Sequence, residues 1–346
     1  AQFNLGQLKT KAAWYTPPSD GERISHDMHR LAASGFNLLF VSAFSEGRAL
    51  YPSQAAERNP AYGGFDPLHA CIDEGRLLGL SVHAWVEAFD VGPAAQDGSL
   101  PRLLQVHPGW SAMKRDDRGP TAAPDGRYYL SPAHPEVQKF VTDTVHELVT
   151  GYDLDGIHLG SICYPAGKAA PYDYNPTVLG LAQADLGFAP RSIGLNMARW
   201  NAWLDWRCSN LSTFAGRLMS MIRDTSPGTL ISASVYPYPD SVLVRMQDWS
   251  KWAAARWLDF VVPLTNTPDA DLVDTLVRAA QGFAGTRTPV VAGIDAASVQ
   301  GSAPALAGLV DAARAAGAYG VSIDSPTISD EMLSALLNGP FRTPAE

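Results

Sequence analysis

Eight short apolar runs, most of them rich in Val, Ile and Leu, recur along the 346 residues, each followed by a stretch with helical periodicity. They fall at 11–15, 37–43, 80–87, 155–162, 230–236, 258–264, 289–294 and 319–324. Residues 37–43 (NLLFVSA) are apolar almost throughout, as a strand buried on both faces requires. Ahead of a helical stretch over 65–79, Asp66 stands where a cap belongs and Pro67 at the first helical position. Between about 195 and 224, Trp200, Trp203, Leu204, Leu211, Phe214, Leu218 and Met221 recur at helical spacing. No linker, internal repeat or low-complexity tract separates the units. The alternation predicts an α/β chain folded as a single (β/α)8 TIM barrel over 1–346. A doubly wound open sheet is the alternative, and eight regular units in this length favour closure.

The two longest connections, 88–132, which reads as irregular, and 164–190, which reads as a loop, follow the third and fourth strands, and the helix after the fifth is expected over about 241–256. In a barrel both lie at the C-terminal mouth, where active sites of this fold form. Connections longer than about 12–15 residues usually have a functional reason. Strand parity then predicts which side chains face the axis. On the third strand Val82, Ala84 and Val86 point to the helices, leaving His83, Trp85 and Glu87 inside. On the fourth, Ile157 and Leu159 point out, while Gly156, His158 and Gly160 point in. Ser232, Ser234 and Tyr236 follow on the fifth, Asp295 on the seventh, and Gly320, Ser322 and Asp324 on the eighth. The mouth is expected to gather Glu87, His158, Tyr236, Asp295 and Asp324, with Trp14 and Trp85 nearby.

Composition narrows the chemistry. A net charge of -9 and the absence of any basic run argue against a polyanion as the main partner, and nucleic acid is not expected. No apolar run reaches the ~18 residues of a membrane span. The three cysteines, Cys71, Cys163 and Cys208, lack metal-ligand spacing, and an odd count leaves at least one free. Cys71 fits a core position. Nor do the histidines form HxH or HxxxH pairs, so no metal is expected. There is no P-loop, no GxGxxG after a first strand and no GxSxG elbow, and no cofactor is expected. The first residue is Ala, which suits a chain trimmed at a signal-peptide site and equally a recombinant product. Nothing in the sequence fixes the oligomeric state.

Cleavage of a glycosidic bond needs two carboxyl groups across it, one as acid and one as base or nucleophile. Glu87, Asp295 and Asp324 are the inward-facing carboxyls that suit such a pair, with Asp240 in reserve. Each aspartate could equally cap the next helix or pair with an arginine. His83 and His158 suit sugar hydroxyls or tuning of a carboxylate, and suit a buried core as well. Asp155, at the start of its strand, reads as structural. Trp249 and Trp252 read as packing residues rather than sugar platforms.

Several stretches together resemble the bacterial family-10-like glycosyl hydrolases, barrel proteins of the cell envelope. They are RALYPS (48–53), GFDPLHACIDEGRLLGLSVHAWVEAF (64–89), YYLSPAHPEVQKFVTDTVHELVTGYDLDGIHL (128–159), QDWSKWAAARWLDFVVPL (247–264) and, weakly, the GID turn at 293–295. More distant similarity reaches the hydrolase domain of poly-N-acetylglucosamine-processing deacetylases. The resemblance covers about residues 10–325. It implies a (β/α)8 barrel, an exported or envelope protein, and a polysaccharide or oligosaccharide substrate. Trp14, Tyr51, His83, Trp85, His158, Tyr164, Tyr236 and Asn266 are the matching candidates for sugar contacts.

The chain departs from that family at the mouth of the fourth strand. An acidic residue is expected where Gly160 stands, and the frequent Arg is Cys163. The third strand ends in Glu87, where relatives often carry Asn, and Asp90 stands near the place of a common Arg. One outcome is redistribution, with Glu87 taking over beside Asp295 or Asp324. The other is a site that has lost its acid and binds glycan without cutting it. The four acids at 87, 90, 295 and 324 exceed what a binding groove requires and favour the enzyme. A barrel serving only as an envelope scaffold is a third option, which the long mouth loops oppose.

Overall fold

The computed structural model describes residues 8–167, 172–324 and 328–342. The barrel strands are β1 (Thr10–Tyr15), β2 (Leu38–Ser45), β3 (Ser81–Glu87), β4 (Gly156–Gly160), β5 (Leu230–Val235), β6 (Phe260–Pro263), β7 (Val291–Asp295) and β8 (Gly320–Asp324). They pair in parallel in the order β7-β8-β1-β2-β3-β4-β5-β6. Bridges Val261–Val290 and Leu264–Gly293 join β6 to β7 and close the ring. A two-residue strand, Arg48–Ala49, folds back on the end of β2.

Two apolar layers result. Ala12, Trp14, Leu38, Phe40, Phe260, Val262 and Val291 fill the barrel interior, with Trp85 against them. The opposite faces of the strands, including Val82, Ala84, Val86, Ile157 and Leu159, pack on the helices. This is the parity expected from alternation. The helix Pro67–Leu78 starts as expected, Asp66 accepting a hydrogen bond from His69 N at 3.0 Å. Asp155 accepts from Val82 N at 2.8 Å and ties β4 to β3 at the end away from the mouth. Trp249 and Trp252 are buried, their indole nitrogens donating to Tyr236 O and Ser212 Oγ, both at 2.9 Å. Cys71, Cys163 and Cys208 are buried and unpaired. No helix among the described residues is long and apolar enough to cross a membrane.

Three local expectations are corrected. The connection after β4 contains a helix, Pro176–Leu186, started by Asn175 and stopped at Gly187. It buries only Val178 and Ala182, so its sequence carries no apolar stripe to announce it. The single helix expected over 241–256 is two, Asp240–Arg245 and Trp249–Ala254. Between them Met246 takes φ 53° and the buried Gln247 turns inward. Its side chain accepts from Tyr236 N at 3.0 Å and donates to Ser234 O at 3.1 Å, a tertiary demand that overrides helical periodicity. The connection after β3 is not wholly irregular: Asp90–Pro93 pairs with Arg127–Tyr129 as a short ribbon, and Arg102–Val106 is helical.

Two histidines lie in the barrel interior. His83 is fully buried among Phe40 and Phe260, and neither ring nitrogen has a hydrogen-bond partner. A side chain at Gly156 would overlap its ring, so glycine there is what lets the imidazole fill the axis. Burial pushes the His83 pKa down to about 3. An unfolded histidine takes up a proton below about pH 6.5, while this one stays neutral when folded, so stability falls as pH drops below 6.5. The slope is about 1.4 kcal/mol per pH unit between 6.5 and 3. His158, held down by burial and by His83, acts in the same direction. Denaturant unfolding of wild type between pH 7 and 4.5 should lose stability more steeply than His83→Leu. Equal slopes would show that His83 protonates in the folded state.

Candidate active site at the barrel mouth

β3 ends in a carboxyl that crosses onto its neighbour. Glu87 is paired in register with Gly160 on β4, and both face the barrel. A Cβ built on Gly160 would lie 2.6 Å from Glu87 Oε1 and 2.5 Å from Trp85 Nε1. The Glu87 carboxyl therefore occupies the volume that a side chain at 160 would need. Glu87 Oε2 is shielded from water without a hydrogen-bond partner. Burial, with a smaller contribution from Asp90, pushes the Glu87 pKa up to about 7; Ser161, Trp85 and Arg127 offset part of that rise. A carboxyl near neutrality is suited to general acid catalysis.

Asp90 does not serve as a second free acid. It is buried, and its Oδ2 accepts from Arg127 Nε at 2.6 Å across the short ribbon. That ion pair fixes the first residues after β3 and keeps one negative charge beside Glu87.

The other carboxyls stand on the far side of the ring. Three strands lie between β3 and β7 in either direction around the barrel, so Asp295 faces Glu87 across the mouth. Asp295 and Asp324 are register partners on β7 and β8. Asp295 caps the turn that follows it, accepting from Ala297 N at 2.8 Å. Asp324 is exposed at the end of β8, and partial desolvation and then Asp295 raise its pKa. The two strands thus present neighbouring carboxyls at this side of the mouth.

Of the sugar-contact candidates, Trp85, Tyr236 and Asn266 keep surface at the mouth. Trp85 is half-buried and meets Trp14 edge-on at 4.7 Å. Trp14 lies beneath, its Nε1 donating to Ser322 Oγ at 3.2 Å. Tyr236 is half-buried, and Asn266, in the turn after β6, is exposed with φ 40°.

The structure does not bring the remaining candidates to that surface. His158 is buried beside Trp14 and Phe40, its ring nitrogens 2.8 Å from Ser232 Oγ and 2.8 Å from Ser234 Oγ. It is a satisfied core histidine, and His83 lies buried in the interior as well. Tyr51 is fully buried, its hydroxyl donating to Glu147 Oε2 at 2.9 Å. Tyr164 is buried too, and its hydroxyl donates to Asp173 Oδ2 at 2.5 Å. Ser131 donates to the other oxygen of Asp173, so this carboxylate locks the loop after β4 onto the loop after β3. Asp240 is exposed in the first turn of its helix, with no capping bond from its side chain.

Sequence reasoning missed Arg127, Arg245 and Asp173. Each acts through a partner in a different loop, and no local pattern marks such a pairing. Only the register of β3 on β4 makes Glu87 and Gly160 one unit.

A family profile described as glycosyl hydrolase-like 10 matches residues 9–302. The chain belongs to this family. It is a glycoside-hydrolase-like protein on a TIM-barrel scaffold. Over 220 residues it is 26% identical to glycosyl hydrolase DigH of Escherichia coli strain K12, covering 60% of this chain and 46% of that protein. Over 154 residues it is 30% identical to glycosyl hydrolase YngK of Bacillus subtilis strain 168, covering 40% of this chain and 28% of that protein. The chain thus spans less than half the length of either relative. Among solved structures, the PgaB (BpsB) glycoside hydrolase domain of Bordetella bronchiseptica superposes with a TM-score of 0.71 at 14% identity, over 96% of this chain and 98% of that one. An alpha-L-fucosidase isoenzyme 2 of Paenibacillus thiaminolyticus gives 0.67 at 18% identity, over 96% of this chain and 49% of that one. At these identities the likeness concerns the fold.

Proposed function

We propose that the chain is a glycoside hydrolase acting on an envelope or matrix polysaccharide, with Glu87 as general acid. The observation that carries this is the Glu87 carboxyl lying over Gly160 with its pKa near 7. A relocated acid explains why Gly160 is tolerated: the carboxyl comes from the neighbouring strand instead. Protonated Glu87 gives its proton to the leaving glycosidic oxygen as the C–O bond breaks. The Asp295–Asp324 pair, facing it across the mouth, supplies the base that activates water or the nucleophile that attacks the anomeric carbon. Trp85 provides an apolar face for a sugar ring, with Tyr236 and Asn266 further round the rim.

The test is product release from a panel of amino-sugar and neutral polysaccharides, with binding measured on the same panel. Cleavage of one polymer supports the hydrolase. Binding to a polymer without cleavage would replace it with a lectin-like barrel that has lost its acid at 160. Neither binding nor cleavage would leave the barrel as a scaffold. We also place the activity outside the cytoplasm, where such polymers lie. Fractionation of cells expressing the full protein tests that, and recovery only in the cytoplasm would refute it.

A further inference from the structure

The second departure on β4 has a counterpart of its own. Cys163 stands where the family resemblance leads one to expect arginine, and a guanidinium from the next loop lies against it. Arg245 Nη1 is 3.9 Å from Cys163 Sγ and 3.5 Å from Tyr164 O. The guanidinium carbon sits 3.7 Å from the centre of the Tyr236 ring, which fixes the plane of the group. Arg245 is half-buried, and no carboxylate among the described residues pairs with it.

The groups around it offer no compensating charge near neutrality. Burial pushes the Cys163 thiol up to about 11, and burial also raises the Tyr236 hydroxyl. Both residues lie within electrostatic reach of Glu87 and Asp90. Asp90 is already paired with Arg127, and Glu87 is largely protonated below pH 7. The mouth of an acidic protein thus holds a half-buried cation two strands along from the proposed acid, against the segment that follows β4. Its surroundings favour the charged form and leave the guanidinium without a carboxylate partner, so a ligand carboxylate can pair with it.

We propose that Arg245 is a specificity-determining residue that binds a carboxylate on the sugar next to the bond being cut. This rests on the hydrolase reading for the position of that bond. A planar guanidinium held on an aromatic ring favours a bidentate carboxylate contact. The substrate class is then a carboxylate-bearing glycan, held by this local cation despite the net charge of -9, and a polymer without carboxylates fits less well.

The test uses matched pairs: hyaluronan, polygalacturonate and alginate, each beside its carboxyl-reduced form. Binding is measured by calorimetry and cleavage by reducing ends, for wild type, Arg245→Gln and Arg245→Lys. The wild type should favour at least one acidic polymer over its reduced partner by about 10- to 100-fold, the worth of one charge-assisted hydrogen-bonded contact. Arg245→Gln should bring that ratio close to one while leaving affinity for the reduced form unchanged, with Arg245→Lys in between. A merely structural Arg245 would weaken both members of a pair together. Equal binding of both forms by wild type, or a preference that survives Arg245→Gln, would overturn the proposal. Cleavage without preference would overturn it while leaving the hydrolase standing. Preference without cleavage would support the anion site and refute the hydrolase.

Discussion

Glu87→Gln is expected to reduce glycan hydrolysis by about 10²–10⁴-fold while leaving glycan affinity within a few-fold, the usual consequence of removing a general acid. Glutamine keeps the size of the side chain and the contact over Gly160, but it has no proton of suitable acidity to give. The barrel should keep its stability or gain slightly, because the variant no longer ionises in a half-buried position above pH 7. Steady-state kinetics on the polymer cleaved by wild type, with binding measured alongside, separates the two effects. Unchanged turnover would remove Glu87 from the mechanism.

Gly160→Asp, which restores the residue expected in the family, is expected to damage this protein. Its Cβ would meet Glu87 Oε1 at 2.6 Å and Trp85 Nε1 at 2.5 Å, so one of the three must move. Overpacking of this kind costs about 1–3 kcal/mol. Two carboxyls forced together also repel and change each other's pKa. A loss of turnover of at least about 10²-fold should follow if Glu87 is displaced from the reacting bond. Adding Glu87→Asn should relieve the crowding and recover part of that loss, because the pair then matches the arrangement that the family resemblance leads one to expect. A rise in activity with Gly160→Asp alone would mean that Glu87 does not do the work of the missing acid.

These two positions also show where sequence reading succeeds and where it stops. The eight strands and their inward faces were legible because period-two alternation and buried parallel strands leave strong patterns. Glu87, Asp295 and Asp324 were placed at the mouth by parity alone, and the structure puts them there. The histidines were ambiguous because parity gives a direction and no depth. His83 and His158 both face inward, yet both lie below the mouth. Tyr51 and Tyr164 looked like sugar contacts, but their hydroxyls are taken by Glu147 and Asp173, partners that only tertiary structure reveals. Glycine at 160 read as either a relocated or a lost acid, and the register of β3 on β4 shows Glu87 filling its space. Arg245 was hidden for a related reason: a helical pattern over 241–256 concealed the break at Met246 that follows it.

The measurement that bears most directly on a relocated acid is the pH dependence of kcat/KM for the cleaved polymer between pH 4 and 9. A general acid works only while protonated, so a Glu87 pKa of about 7 requires activity to fall as pH rises through that value. The descending limb should approach tenfold per pH unit and vanish in the residual activity of Glu87→Gln. Activity that stays level to pH 9, or a limb in the ordinary carboxylate range near 4, would show that Glu87 is not the acid that cleaves the glycan.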